Sequence, residues 1–167
     1  MKIKNSPRFA GTHKGIIKFT IVMMAVIAVT ALTACGENPE LVSFKQDMSD
    51  FCNSVSELNE SLNSIDSDDD SAPSLALEYL DELDRQFQNF AEFDFPEEYD
   101  YLESVADEAG DYMKEAVKSY HEVYSGEEYD EDTAAYAREN SARAIKRVQV
   151  ILDVLQGIEP SDESASE

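Results

Sequence analysis

The chain has 167 residues, 36 of them acidic and 13 basic, for a formal charge of −23. A field of that sign repels polyanions and argues against a nucleic-acid partner. With 43% hydrophobic residues, eight Tyr and eight Phe, there is apolar matter for one core in one domain, and global disorder is disfavoured.

The first 34 residues stand apart. Lys2, Lys4, Arg8, Lys14 and Lys18 occur there with no acid, followed by an uncharged apolar stretch from Phe19 to Leu32. This is the basic and apolar order of a secretory signal, and the stretch is shorter than the about 20 residues a spanning helix needs. It ends in Leu32-Thr33-Ala34-Cys35, which resembles the lipobox of bacterial lipoproteins. That resemblance implies cleavage between Ala34 and Cys35 and a diacylglyceryl group on the Cys35 sulfur, with palmitate-type acyl chains. Loss of residues 1–34 leaves 8 basic residues against 36 acidic ones, a formal charge of −28 over 133 residues.

Beyond the leader, four amphipathic segments follow. Leu41, Phe44, Met48, Phe51, Val55, Leu58, Leu62 and Ile65 advance in steps of three and four, and so predict one helix. Asn38 is placed to cap it, with Pro39 at its first position. The Asp66–Ser71 run ends it. Ala76, Leu80, Leu83, Phe87 and Phe90 predict a second helix, entered through Ser71, Ala72 and Pro73.

Asp94 and Glu97, three residues apart around Pro96, predict a capping box that opens a third helix. Its seam is Tyr99, Leu102, Ala106, Ala109, Met113, Ala116, Tyr120 and Val123, and Gly126 suits its C-terminal cap. The fourth helix begins near Asp130 and runs through Ala134, Ala137, Ser141, Ala144, Val148, Ile151 and Leu155. Gly157 and Pro160 stop it, and Ile158 is expected to pack just past the last turn. Its small residues suit close approach by a neighbour, with bulky aromatics filling the remaining space.

These segments divide the chain into a lipoprotein signal peptide (1–34), a lipid tether (35–38), a four-helix bundle domain (39–158) and a polar acidic tail (159–167). Short connections predict an all-α, antiparallel up-down-up-down bundle. The same heptad-like spacing would also serve a dimerising helix pair.

The resemblance then extends past the leader. Phe51-Cys52-Asn53, Tyr79 to Asp84, Phe95 to Tyr99, Tyr112 to Val117 with Tyr120-His121, and Ala144 to Val148 together resemble small Gram-positive bacterial lipoproteins with a lipobox signal peptide and a helical-bundle mature domain. The likeness implies location and fold class. It carries no activity to transfer.

Sites for chemistry are sparse. Asp66, Asp68 and Asp70 fall at the first, third and fifth places of an EF-hand-like loop, but Ser71 replaces its turn glycine and Leu77 its bidentate acid. They are the weak metal candidates. A di-iron site needs two Glu-x-x-His pairs, whereas the mature part has only His121, with Lys118 three residues before it. The same single histidine leaves no nucleophile triad to assemble. Acid pairs abound, yet none is marked by a surrounding apolar pocket. Cys52 sits beside Phe51 as a small hydrophobe. Arg138, Arg143, Lys146 and Arg147 form the one basic run, expected on the outward side of the fourth helix, either balancing nearby acids or gripping an anion.

The sequence therefore leads to an expectation of a non-enzymatic, lipid-anchored interaction or scaffold module on the outer face of the cell membrane. It needs no cofactor beyond the lipid on Cys35, and its partner is another envelope protein with a basic face. The alternative is a small-ligand or Ca²⁺-binding lipoprotein that uses an acidic membrane-distal tip or an inter-helix pocket.

Overall fold

The structure, a computed structural model, describes residues 38–125 and 129–158. Among them are four α-helices and no strand: α1 (Pro39–Asn63), α2 (Ala72–Ala91), α3 (Glu103–Ser125) and α4 (Glu131–Leu155), with a single 3₁₀ turn over Asp100–Leu102 leading into α3. Four helices follow from four stripes of apolar residues, each of which can leave water only by facing the others.

The start signals act locally. Asn38 caps α1, its side-chain oxygen accepting from the Glu40 N–H at 3.1 Å. Asp130 caps α4 by accepting from the N–H groups of Asp132 and Thr133. Ahead of α2 the polar work falls to Asp69, whose carboxylate accepts from both the N–H and the hydroxyl of Ser71 at 2.8 Å. The end of α4 is a Schellman motif: Ile158 N–H donates to Asp153 and Gly157 N–H to Val154. Gly157 takes φ +72°, which a Cβ would strain. Gly126 lies outside the described residues.

Three expectations are corrected. Asp94 and Glu97 form no capping box; residues 93–99 are non-helical and α3 starts at Glu103. The reason is Phe95, which is buried with Pro96 and packs into the core, so the chain there is held out of a helix by tertiary contact. Ile158 is half exposed, because the left-handed glycine turns the chain away from the bundle. Arg147 does not point outward but lies between α3 and α4, against Glu108 and the Tyr112 ring.

The core joins all four helices. Phe87, Phe90, Leu80, Leu83, Met113, Ile151 and Val148 are its largest fully buried members. Between α1 and α2 the packing is aromatic: Phe51 stacks on Phe90 with centroids 4.4 Å apart and meets Phe87 edge-on at 5.2 Å, while Phe44 lies 4.6 Å from Phe95. The most extensive helix–helix packing is between α3 and α4, which carry the small buried residues Ala106, Ala109, Ala116 and Ser119, and Ala134, Ala137, Ser141 and Ala144. Gly110 marks a close approach to α2: a Cβ there would sit 3.2 Å from that of Ala91, and its carbonyl accepts from Gln88 Nε2 at 3.0 Å.

Candidate functional site

Charged side chains converge where α3 and α4 run side by side. From α3, Glu108 and Tyr112 are one turn apart and share a face; from α4, Arg143 and Arg147 do the same. The Arg147 Nε lies 2.6 Å from Glu108 Oε2, and the Arg143 Nη2 donates to Glu139 Oε1 at 2.6 Å. The first contact is a charge pair whose N–H is not aligned as a hydrogen bond. Both guanidiniums also stand over the Tyr112 ring, at 5.7 Å for Arg143 and 5.9 Å for Arg147, within range of its negative face.

Two of the four basic residues are thus brought together, and their exposures differ. The Arg147 side chain is only 14% exposed and that of Arg143 40%. Arg147 is a packed inter-helix strut whose stem and guanidinium cover an aromatic face. Lys146 is half-buried next to it. Arg138 stands apart, nearer the start of α4, donating to Glu131 Oε1 at 2.7 Å. Glu131, desolvation in the opposite sense, and Tyr129 act on it, and the net effect holds its guanidinium above its ordinary range. Every guanidinium of the run therefore has a carboxylate within reach.

Sequence reasoning passed over Glu108 and Tyr112. The available signal was the matching four-residue spacing, Glu108 to Tyr112 on one helix and Arg143 to Arg147 on the next. It became meaningful only when those faces met.

On the α2 side of α3, His121 Nε2 lies 2.6 Å from Asp81 Oδ1, so this histidine joins two helices. One turn on, Asp84 accepts from Gln88 Nε2 at 3.0 Å. Burial pushes the Asp84 carboxyl up, against the opposing effects of Gln88 and Lys114. Between α3 and α4, Tyr120 is buried against Tyr124, their rings stacked at 6.3 Å, and desolvation raises both phenols. Cys52 is half-buried against the core, its thiol pushed up to about 11 by burial. A thiol so held is a poor nucleophile at neutral pH.

The acidic loop after α1 satisfies its own backbone. Asp66 Oδ1 accepts from the Asp68 N–H at 3.0 Å, and Asp69 from Ser71. Asp66, Asp68 and Asp70 are exposed. Among the described residues no three His, Cys, Asp or Glu side chains form a group suited to hold a metal ion. Ala34 and Cys35 lie outside the described residues, and no described helix is long and apolar enough to cross a membrane. Comparison with protein-family models, with curated proteins and with solved structures finds no match.

Proposed function

We propose that the chain is a lipid-anchored extracytoplasmic protein whose helices form an antiparallel up-down-up-down bundle, and that this bundle is a non-enzymatic interaction or scaffold module of the cell envelope. The observation that carries the reading is the sequence Leu32-Thr33-Ala34-Cys35 behind a basic and then apolar leader, with helix α1 beginning at Pro39. Folded structure so soon after the cysteine is what a short lipid tether requires.

The contacts support the topology. Along α1, Phe51 meets Phe90 of α2 while the earlier Phe44 meets Phe95, four residues past the end of α2. Between α2 and α3, Asp81 meets His121 and Gln88 meets Gly110. Between α3 and α4, Glu108 meets Arg147 and Tyr112 meets Arg143. In each pair one number rises as the other falls, the mark of neighbouring helices running in opposite directions.

A mature charge of −28 favours a partner with a basic face and speeds its encounter. The test is metabolic labelling with a palmitate analogue in wild type and C35A, followed by affinity recovery from membranes and mass spectrometry. Labelling that depends on Cys35, with a basic envelope protein recovered in the same Cys35-dependent way, is the expected result. Equal labelling of the two forms overturns the anchor, and recovery of no envelope protein overturns the scaffold role.

A further inference from the structure

We infer that the end of the bundle at which the chain enters α1 rests on an electrically neutral bilayer surface through Val42, Tyr101 and Ile158, and lifts away from an anionic one. The inference rests on the lipid-anchored, antiparallel reading above and adds how the domain sits on its membrane.

Among the described residues four large apolar side chains are exposed: Val42 at 50%, Tyr101 at 61%, Tyr136 at 48% and Ile158 at 50%. Three of the four belong to one end. Phe44 against Phe95 brings the first turns of α1 beside the connection that leads to Tyr101. The pairing of Arg147 with Glu108 and of Arg143 with Tyr112 sets a register along which the end of α4 reaches the level of the 3₁₀ turn. Ile158 follows directly, delivered into solvent by Gly157. Tyr136, in the second turn of α4, belongs to the opposite end.

The three side chains sit on three different elements, α1, the 3₁₀ turn and the residues past α4. That arrangement suits a plane better than a groove, because three separated points define contact with a flat surface. Cys35 precedes Pro39 by four residues, so an acyl group on its sulfur keeps this end within about 14 Å of the lipid head groups. Apolar side chains at a membrane surface bury about 5–10 Å into the headgroup boundary, and tyrosine is enriched at that depth.

The surrounding charge decides which surface is accepted. Glu40, two residues before Val42, and Glu97, Glu98, Asp100 and Glu103, within four residues of Tyr101, are all exposed. Anionic head groups repel them over about 8 Å at physiological salt, whereas zwitterionic head groups let the carboxylates stay wet while the apolar groups enter. A basic protein segment would also answer these acids, but the tether brings the bilayer to this end first.

The test couples the mature chain, residues 35–167 with C52A, through Cys35 to a maleimide phospholipid in vesicles, so that it does not depend on lipidation in the cell. Tyrosines are replaced by 3-fluorotyrosine, and fluorine NMR is recorded with a paramagnetic headgroup lipid, Tyr101 and Tyr136 being assigned with Y101F and Y136F. On phosphatidylcholine the Tyr101 signal broadens and that of Tyr136 does not; V42S together with I158S removes the broadening. Two parts phosphatidylcholine to one part phosphatidylglycerol also removes it. Equal broadening of the two tyrosines, or broadening at Tyr101 indifferent to lipid charge and to V42S/I158S, overturns the inference. So does protection of this end by an added Lys/Leu amphipathic peptide but not by phosphatidylcholine, which would assign it to a protein partner. If palmitate labelling of Cys35 fails in cells while the tethered chain still seats, only the anchor reading falls.

Discussion

Phe44 of α1 lies against Phe95 of the α2–α3 connection, ring centroids 4.6 Å apart and tilted by 50°. Phe95 is 6% exposed although it lies in no helix, so it fixes the connection and α1 together. F95A is expected to destabilise the domain by about 3–5 kcal/mol, the range for truncating a buried phenylalanine. D94A is expected to change stability by less than about 0.5 kcal/mol, because Asp94 is exposed and caps no helix. Urea unfolding of both variants checks the pair; a loss near 1 kcal/mol for D94A would restore the capping box.

Arg143 and Arg147 share the Tyr112 ring yet differ in burial. R147A removes a packed stem, a cation over a ring and the contact with Glu108 at once, for an expected loss of about 1–2 kcal/mol. R143A loses an ion pair and a cation over the same ring, both screened by solvent, about 0.5–1 kcal/mol. R147K should not restore stability, since an ammonium lacks the flat face that covers Tyr112. Equal losses for the two alanine variants would contradict the strut assigned to Arg147.

Two carboxylates shift in opposite directions and give opposite pH dependence. The Thr133 N–H and hydroxyl and the Asp132 N–H hold the Asp130 carboxyl below its ordinary range. Its contribution is present at neutral pH and disappears as pH falls through the lowered value. Asp84 is raised, chiefly by burial, so its contribution is full in acid and is lost as pH rises through the raised value. D130A should melt below wild type at pH 7, the gap narrowing below about pH 4, the ordinary carboxylate value. D84N should melt above wild type at pH 7, the difference closing as pH falls toward the same value. Thermal scans over that range check both; curves that stay parallel to wild type would remove the assignments.

Cys52 provides a reporter of whether α1 is docked. With its thiol pushed up to about 11, the thiolate fraction at pH 8 is about two orders of magnitude below that of a free cysteine. Reaction with a disulfide reagent on the mature chain, in a C35S background, should be slowed at least about tenfold in buffer, the higher nucleophilicity of a high-pKa thiolate offsetting part of that fraction, and become fast in denaturing urea. Rapid labelling in buffer would mean that α1 leaves the core readily.

Most of the secondary structure was legible in the sequence because helix formation here follows from local spacing. The seam positions Phe44, Met48, Phe51, Val55 and Leu62, or Ala76, Leu80, Leu83, Phe87 and Phe90, are buried as their three-and-four steps predict. Asn38 and Asp130 cap α1 and α4 through side chains two or three residues from their partners. Such features need no knowledge of the rest of the fold.

Tertiary structure alone decided the remainder. Asp94-Phe95-Pro96-Glu97 has the local pattern of a helix start, yet burying the Phe95 ring against Phe44 outweighs a cap worth about 1 kcal/mol. Arg147 belongs to a basic run in the sequence, but only the approach of α3 supplies the ring and carboxylate that draw it inward. Ile158 continues an apolar seam by number, and the left-handed Gly157 sends it into solvent. In each case the deciding energy comes from groups distant along the chain or from a backbone turn that breaks the helical period, and periodicity within one segment contains neither.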